Sequence, residues 1–517
     1  MEKISDLIKA SSEASVAELF EVQVSRNSKS MAVINTDGRI YSYEEFLVRT
    51  LKLSSLLLSY GLKPKDRVAI ISENRSEYLE LQIACAKVGA IVAAINWRLS
   101  QDEIQYCIDL VEPELIFFSE RFEEKYGRLK LKNKNCIKIE SDYEKELLKC
   151  KLYSGESIGR GEDPLIILYT SGTTGYPKGA VISHRAVIAR IMYCCMEYGI
   201  NSEDTFPAWP PMFHMASTDL AIGSLIIGGS VAFIDGFKSL KIIQLIKEFK
   251  ISWLVLMPGM LEKFIKDLLN NPIKPKNIKI MGAMADLIPK KQIVQITSLL
   301  RTPYFNSFGS TETGLPPASG SFIPINSLNY SLSKTQSSLC EVKLVNDDDE
   351  EVGFGIPGEC KLKSPTLFSG YWNAERINKE EFKNGWFHMG DVMKRNVNGS
   401  LDFVDRKKYL IKSGGENIYP AEIERVLLSH KNVFEAIVVK SKSVEWGETP
   451  VALVAISNEE EFEVIQKELI DMCRNKLAGY KQPKTILHIN KEKIPRSTTG
   501  KVQRHIVEAM LEGIENK

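Results

Sequence analysis

Apolar residues recur along the chain in two alternating patterns, helical spacing and short continuous runs. In the first two-thirds of the chain these patterns predict helices at 44–60, 77–88 and 242–249 and buried strands at 67–71, 251–257 and 278–281. The first helix is followed by Gly61, a residue type that commonly stops a helix. Strands that alternate with helices are typical of layered α/β folds with a mostly parallel sheet.

In the last third, the pattern changes to short strands separated by acidic and glycine-rich turns at 347–358. After the charged segment 405–408, it predicts a helix starting near Pro420, a helix at 460–476 and strands at 433–439, 450–456 and 485–489. We therefore predict an α/β protein whose large N-terminal domain, 1–405, has layered α/β subdomains and a small β-barrel-like part. A small, mobile α+β domain, 406–517, follows a hinge near Lys408.

Composition limits the classes of function. The 517 residues are 44% apolar and 26% charged, and the formal net charge is +1 from 67 basic and 66 acidic side chains. This balance argues against a broad nucleic-acid surface. The most apolar stretch, 220–234, is short and interrupted by glycines, so we predict buried core and no transmembrane segment. Nine scattered cysteines and an N-terminus without a signal-peptide core favour a cytoplasmic protein. A homo-oligomer is left open.

The strongest candidate for chemistry is an apolar strand at 165–169 that runs into the sequence TSGTTGYPKG at 170–179. Glycines let backbone N–H groups approach a ligand, hydroxyls donate hydrogen bonds, and Lys178 supplies charge, which together suit a polyphosphate. The spacing differs from the GxxxxGK[ST] of P-loop proteins. A GxGxxG match at 353–358 lacks the strand–turn–helix context of a dinucleotide site and is interpreted as chance.

Five more segments carry candidate chemistry, and each alone would be interpreted as an ordinary loop. They are PMFH at 211–214, NSFGSTE at 306–312, WFHMGD at 386–391, DRKKYLIKSGGENI at 405–418 and IPRSTTGK at 494–501. With the 170–179 loop, and in this order, they resemble the adenylate-forming superfamily. That superfamily includes acyl- and aryl-CoA synthetases, firefly luciferase and the adenylation domains of peptide synthetases.

The resemblance implies which residues bind the nucleotide. The ATP phosphates would be engaged by Thr170, Ser171, Gly172, Thr173, Thr174 and Lys178, and the adenosine side by Asn306, Ser307, Phe308, Gly309, Asp391 and Arg406. Thr311 would contact the α-phosphate, and Lys412 would face the adenylate phosphate. Glu312 would ligate Mg²⁺, which prefers a few protein oxygens together with phosphate oxygens.

By the same resemblance, Lys501 would be the adenylation lysine. Attack of a carboxylate on the α-phosphate brings two anions together, and a lysine that touches both relieves their repulsion. The implied catalytic set is Lys501, His214, Thr174 and Glu312. Lys408 would be the hinge, and Gly414, Gly415 and Tyr480 would lie on the path of coenzyme A.

The implied acyl pocket is formed by His214, Met215, Gly282, Ala283 and Met284. No acid follows Phe213 directly, and the first acidic residue is Asp219, so activation of an amino acid is disfavoured. Methionines form an adaptable apolar wall, which suits an alkyl or simple aryl acid. The chain departs from the family pattern at Phe308, at Met389 and at 332–339, where many relatives have a glycine-rich turn.

These observations predict an AMP-forming acyl-CoA synthetase that uses ATP and Mg²⁺ to convert a small-molecule carboxylic acid, fatty or simple aryl, to its acyl-adenylate and then transfers the acyl group to coenzyme A. Two alternatives stay open. One is a stand-alone ligase that loads the phosphopantetheine of a carrier protein. The other is a catalytically silent nucleotide-binding protein, which the retention of Glu312, Asp391, Arg406 and Lys501 argues against.

Overall fold

The computed structural model describes residues 11–127, 129, 135–171, 177–257, 259–286, 288–414, 416–456, 461–496 and 502–515. The chain divides into two compact units. The first comprises Met1–Glu341 and Lys363–Trp386, and the second comprises Val342–Leu362 and Phe387–Lys517. The compact units therefore do not divide at residue 405. The boundary near Lys408 was predicted as a hinge of motion and stays a prediction.

An eight-stranded sheet forms one layer of the first unit. Its strands are β1 (Met31–Ile34), β2 (Ile40–Ser42), β9 (Thr205–Ala208), β10 (Ser230–Phe233), β11 (Lys250–Leu254), β12 (Asn277–Met281), β13 (Tyr304–Asn306) and β16 (Ser321–Ile323). Their order is β16–β13–β12–β11–β9–β10–β1–β2, and only the two edge pairs, β1–β2 and β13–β16, are antiparallel. A buried parallel core of this kind explains the continuous apolar runs in the sequence.

A six-stranded sheet forms a second layer of the first unit. Its strands are β3 (Arg67–Ile71), β4 (Ile91–Ala94), β5 (Leu115–Phe118), β6 (Asn135–Lys138), β7 (Pro164–Ser171) and β8 (Pro177–Ser183). The order is β6–β5–β3–β4–β7–β8, and all neighbours are parallel except β7 and β8. A short ribbon of β14 (Gly309–Ser310) and β15 (Gly314–Pro317) follows β13.

Helices cover these sheets. They are α1 (Val16–Asn27), α2 (Tyr43–Ser59), α3 (Ser76–Val88), α4 (Gln101–Val111), α5 (Glu123–Tyr126), α6 (Glu144–Lys149), α7 (His184–Tyr198), α8 (Met215–Ile226), α9 (Ser239–Glu248), α10 (Leu261–Asn270), α11 (Lys290–Leu300) and α12 (Glu375–Glu381). Ser42 and Glu45 form a capping box at the start of α2, which explains where that helix begins. Every residue of α3 is buried, as expected for a helix enclosed between layers.

The second unit contains two sheets. In the first, β18 (Pro357–Lys363), β20 (Trp386–Arg395) and β21 (Leu401–Arg406) are antiparallel neighbours, and β17 (Glu341–Val345) lies beside β18. The second orders β22 (Ile411–Ser413), β23 (Glu416–Ile418), β24 (Val433–Ser443), β25 (Gly447–Ile456) and β26 (Thr485–His488) as β23–β22–β25–β24, with β26 parallel to β25. Its helices are α13 (Pro420–Leu428), α14 (Phe462–Lys476) and α15 (Arg504–Glu515). The short strand β19 (Phe382–Lys383), which precedes β20 along the chain, belongs to the first unit.

The predicted elements are confirmed with shifts at their ends. The stretch 220–234 is buried as predicted, in the end of α8 and in β10. The strand predicted over 251–257 ends at Leu254, and that predicted over 433–439 continues to Ser443. Within the described ranges, no helix combines the length and the apolar character needed to cross a membrane.

Candidate active site

The phosphate-loop sequence joins two antiparallel strands at the edge of the six-stranded sheet. The register of β7 and β8 places Thr170 opposite Lys178. Gly172, Thr173 and Thr174, and the side chain of Ser171, lie outside the described residues. Among the residues that are described, the buried hydroxyl of Thr170 has no hydrogen-bond partner, so it can donate a hydrogen bond to a ligand beside the loop.

Lys178 contacts two residues from a distant part of the chain. Its Nζ lies 3.1 Å from Oε1 of Glu381 and 3.8 Å from the centroid of the Tyr371 ring. Both charged side chains are partly exposed, so an anionic ligand can reach the ammonium group. The cation is thereby held by a carboxylate and an aromatic face together.

Tyr371 also contacts the predicted magnesium ligand, because its hydroxyl donates a hydrogen bond of 2.9 Å to Oε1 of Glu312. The tyrosine side chain is buried. Burial raises the pKa of the Tyr371 hydroxyl well above its ordinary value, and the carboxylates of Glu312 and Glu381 add to this shift. The hydroxyl therefore remains a donor across the physiological pH range.

Backbone hydrogen bonds explain how Tyr371 reaches this position. Residues 368–372 lie beside β8, where the N–H of Val181 donates to the carbonyl of Gly370 at 2.9 Å. At the start of the same segment, the N–H of Phe368 donates to the carbonyl of Glu312 at 2.8 Å. The segment thus brings β8 and the 312 turn to a single tyrosine.

The Glu312 carboxylate fits a magnesium ion that arrives with phosphate. One of its oxygens accepts the Tyr371 bond, and its half-buried position leaves the group accessible. In the described part of the chain, no cluster of three histidine, cysteine, aspartate or glutamate side chains could hold a metal alone. A single carboxylate is the ligand set expected when phosphate and water oxygens complete the coordination.

A buried ion pair supports the turn that carries Thr311. Arg190, on α7, donates to Oδ2 of Asp219 at 2.8 Å, to the carbonyl of Thr311 at 2.9 Å and to that of Thr366 at 3.0 Å. Burial raises the pKa of Asp219, while Arg190 opposes that rise. Asp219, the first acidic residue after His214, is therefore already paired with a buried arginine.

The predicted adenine segment lies at the end of β13. Asn306 is fully buried, and its Oδ1 accepts the N–H of Ala285 at 3.1 Å. Ser307 and Phe308 are also buried, and the Phe308 N–H donates to Oγ of Ser319 at 3.0 Å. A Cβ atom at Gly309 would lie 2.0 Å from the carbonyl oxygen of the facing strand, so only glycine fits there.

The predicted acyl residues fall into two places in the first unit. His214 precedes α8, and its Nδ1 accepts the N–H of Ala216 at 3.2 Å, so the imidazole caps the helix that begins at Met215. Gly282 follows β12, and Ala283 and Met284 are both half-buried. Half-burial leaves these two side chains accessible to a ligand.

In the second unit, the two predicted ribose-binding residues lie opposite each other. Asp391 on β20 pairs in register with Arg406 on β21, and Nε of Arg406 lies 2.6 Å from Oδ1 of Asp391. Asp391 is fully buried. The arginine therefore neutralises the buried carboxylate, and the role of the two residues in binding ribose stays a prediction.

The predicted hinge follows directly after β21. Lys408 is exposed, and its Nζ lies 4.9 Å from the ring centroid of Tyr409. Before it, Oδ2 of Asp405 accepts the N–H of Ala421 at 2.7 Å, which joins the end of β21 to the start of α13.

Of the predicted coenzyme A residues, Gly414 lies in the turn between β22 and β23, against Trp446, a residue that sequence analysis missed. Tyr480 lies in a short 3-10 helix at Gly479–Lys481. Gly414 has φ +56°, and a Cβ atom there would lie 2.6 Å from the indole of Trp446. The Gly414 N–H donates to the Trp446 carbonyl at 2.8 Å. Tyr480 is 43% exposed, and Lys412 is exposed on β22. Gly415 and Lys501 lie outside the described residues.

Comparison with known families decides the classification. The sequence model of AMP-binding enzymes matches residues 20–372, and that of the AMP-binding enzyme C-terminal domain matches residues 422–501. The chain belongs to the AMP-binding enzyme family. The predicted membership in the adenylate-forming superfamily and the predicted class of acid–thiol ligase are both confirmed.

Curated relatives of this AMP-binding enzyme align over nearly their whole length. A 2-succinylbenzoate–CoA ligase of Listeria monocytogenes is 30% identical over 478 residues, which are 91% of this chain and 94% of the relative. A 2-succinylbenzoate–CoA ligase of Bacillus cereus is 29% identical over 497 residues, covering 93% and 97%.

Solved structures share the fold, which confirms the predicted fold class. ATP-bound MatB from Rhodopseudomonas palustris has a TM-score of 0.83 at 22% identity, covering 96% of this chain and 99% of the other. The o-succinylbenzoate–CoA synthetase of Bacillus subtilis, in complex with ATP and magnesium, has a TM-score of 0.82 at 24% identity with the same coverage.

Proposed function

We propose that this AMP-binding enzyme is an aryl-acid–CoA ligase, which forms an acyl-adenylate from ATP and an aromatic carboxylic acid and transfers the acyl group to coenzyme A. The curated relatives carry the name 2-succinylbenzoate–CoA ligase, which supports an aromatic acid over a long-chain fatty acid. The proposed substrates are aryl acids, a narrower set than the fatty and simple aryl acids that the sequence predicts.

One observation carries the proposal. Lys178 and Glu312, which the sequence assigned separately to phosphate and to magnesium, both contact Tyr371. A cation over the ring and a carboxylate at the hydroxyl of one tyrosine suit a triphosphate that carries its own divalent ion. A silent scaffold has no need for such an arrangement.

The side chains divide the first half-reaction among them. Lys178 would bind phosphate oxygens in exchange for its contact with Glu381, and Glu312 would hold a magnesium ion, which would neutralise charge on the phosphates. The acid's carboxylate attacks the α-phosphorus, the bond to the pyrophosphate oxygen breaks, and acyl-AMP and pyrophosphate result. Lys501 would neutralise the two anions as they meet.

The second half-reaction requires a thiol. The thiolate of coenzyme A attacks the acyl carbonyl, and the carbon–oxygen bond to AMP breaks, so a thioester and AMP result. Gly414 would line the path of coenzyme A here, and its lack of a side chain lets the backbone lie against the Trp446 indole. After Lys501 has acted in adenylation, rotation of the C-terminal segment about Lys408 would place Gly414 on the path of coenzyme A.

An amino acid is a poor candidate for the substrate. Asp219 is the first carboxylate after His214, and it is buried in an ion pair with Arg190 at 2.8 Å. A substrate ammonium would have to compete for Asp219 with that arginine, which is also held by the Thr311 carbonyl. A cytoplasmic location, where coenzyme A and ATP are both available, is part of the proposal.

The direct test is a product assay with purified enzyme, MgATP and a panel of aryl, fatty and amino acids. We expect AMP and an acyl-CoA thioester in equal amounts with an aryl acid. Thioester formed only when a phosphopantetheinylated carrier protein replaces coenzyme A would favour the carrier-loading alternative. No AMP with any acid would overturn the proposal.

A further inference from the structure

A closed ring of hydrogen bonds joins three segments of the first unit. Nζ of Lys334 lies 2.6 Å from Oδ2 of Asp286 and donates a second bond, of 3.2 Å, to the carbonyl of Leu332. The same carbonyl accepts a bond of 3.0 Å from Nδ2 of Asn306. Oδ1 of Asn306 accepts the N–H of Ala285 at 3.1 Å, and Ala285 precedes Asp286, which closes the ring.

The ring is buried. The side chain of Lys334 is 0% exposed and that of Asp286 is 8% exposed. A lysine is almost never fully buried unless its charge is paired, because removing an unpaired ammonium group from water is strongly unfavourable. Buried ion pairs add little net stability over apolar residues of similar size, and their best-attested use is to fix one arrangement of neighbouring segments.

The ring includes a residue that lies next to the predicted acid site in the sequence. Asp286 ends the turn that carries Gly282, Ala283 and Met284, the predicted acyl wall. Lys334 lies in the segment 332–339, where the sequence departs from the glycine-rich turn of many relatives. The ammonium group of Lys334 is tied through Asp286 to the turn that carries the predicted acyl wall.

We propose that Lys334 is a positioning residue for acid selection, which acts by fixing the 282–286 turn through Asp286. The inference rests on the proposed function, since it concerns the acid site of that reaction. Asn306 keeps its bonds to Ala285 and Leu332 when the lysine is removed, so binding of the nucleotide should change less than binding of the acid.

The first test is Lys334→Met with steady-state kinetics for both substrates. We expect KM for the best aryl acid to rise by about tenfold or more, from loss of one charge-assisted contact, while KM for ATP changes by less than about threefold. Lys334→Arg keeps a cation within reach of Asp286 and should restore most of the acid affinity. An unchanged KM for the acid in a folded Lys334→Met enzyme would overturn the inference.

A double variant distinguishes an effect on acid binding from an effect on protein stability alone. Lys334→Met leaves Asp286 as a buried unpaired charge and should lower Tm, whereas Lys334→Met/Asp286→Leu removes both charges and should recover most of that Tm. KM for the acid should nevertheless remain raised in the double variant, because residue 286 is no longer tied to residue 334 by the ion pair, and only the Asn306 bonds still join the turn to Leu332. Recovery of Tm and KM together would mean that the ring serves only the fold. Failure of both variants to fold would lead to the same conclusion.

The exposed pair between Lys29 and Glu44, also at 2.6 Å, provides the matched control. Lys29→Met should leave Tm and both KM values unchanged. The wild-type enzyme separates the two proposals. If it forms no adenylate with any acid, the proposed function fails. If it does, and Lys334→Met behaves like Lys29→Met, only this inference fails.

Discussion

The hydroxyl of Tyr371 donates a hydrogen bond of 2.9 Å to Oε1 of Glu312. The two residues are far apart in sequence, and the carboxylate is the one predicted to hold magnesium. Because the same tyrosine lies under Nζ of Lys178, one side chain orients both charges of the proposed phosphate site.

Removing that hydroxyl should weaken nucleotide binding. In Tyr371→Phe the ring remains under Lys178 but Glu312 loses its donor, so we expect KM for MgATP to rise by roughly three- to tenfold. The raised pKa of Tyr371 keeps the hydroxyl protonated, so the effect should be equal at pH 6 and pH 9. Tyr43→Phe removes another buried hydroxyl, which donates to the carbonyl of Gly229, and should lower Tm without changing KM.

Removing one partner of the buried pair of Arg190 and Asp219 should strongly destabilise the first unit. Arg190→Met leaves the carboxylate buried and unpaired, and we expect a loss of roughly 3–5 kcal/mol in the free energy of unfolding, measured by urea denaturation. Arg376→Met, at an exposed pair with Glu380, should cost less than about 1 kcal/mol.

The loss in Arg190→Met should depend on pH. Burial raises the pKa of Asp219 in the folded protein, and removing the arginine raises it further. The folded state then binds a proton more tightly than the unfolded state. The variant should therefore gain stability relative to wild type as pH falls toward about 5 and lose it as pH rises toward about 8. A difference that stays constant over this range would contradict the assignment.

Gly414 should affect thioester formation rather than adenylation. Alanine there combines a left-handed backbone with a contact of 2.6 Å to Trp446, so we expect the rate of thioester formation from supplied acyl-AMP to fall by about tenfold or more. Gly399→Ala tests the backbone alone, because φ is +84° and no heavy atom lies within 4 Å. Equal effects of both substitutions would show that the Trp446 contact has no role in this step.

Lys501→Ala should have the opposite effect. We expect loss of adenylate formation by at least about a hundredfold, with thioester formation from supplied acyl-AMP largely retained. Lys493→Ala, at an exposed lysine in the same part of the chain, should change neither step. Equal loss of both steps in Lys501→Ala would refute the division of labour.

The pattern of apolar residues predicted the helices and strands well where burial determines their ends. The strand Arg67–Ile71 is bounded as predicted because it is a continuous apolar run with charged residues before it. The strand from Val433 was predicted too short, since its last residues, 440–443, are mostly polar and are held by pairing with β25 rather than by burial. Pairing partners cannot be recognised from the spacing of apolar residues within one strand.

The same reason explains why the contacts within the candidate active site were not predicted. Glu312 and Lys178 belong to recognisable motifs, but Tyr371 reaches them only because residues 368–372 lie beside β8. Likewise, nothing in the sequence around Lys334 indicates a buried lysine, because its partner Asp286 comes from another turn. Contacts of this kind are properties of the fold.

Exchange of labelled pyrophosphate into ATP tests the central claim most directly, because it requires only reversible adenylate formation. With an aryl acid and without coenzyme A, we predict exchange that depends on magnesium and is weakened in Lys178→Met, which removes the cation above Tyr371. Absence of exchange with every acid in the panel would contradict the account.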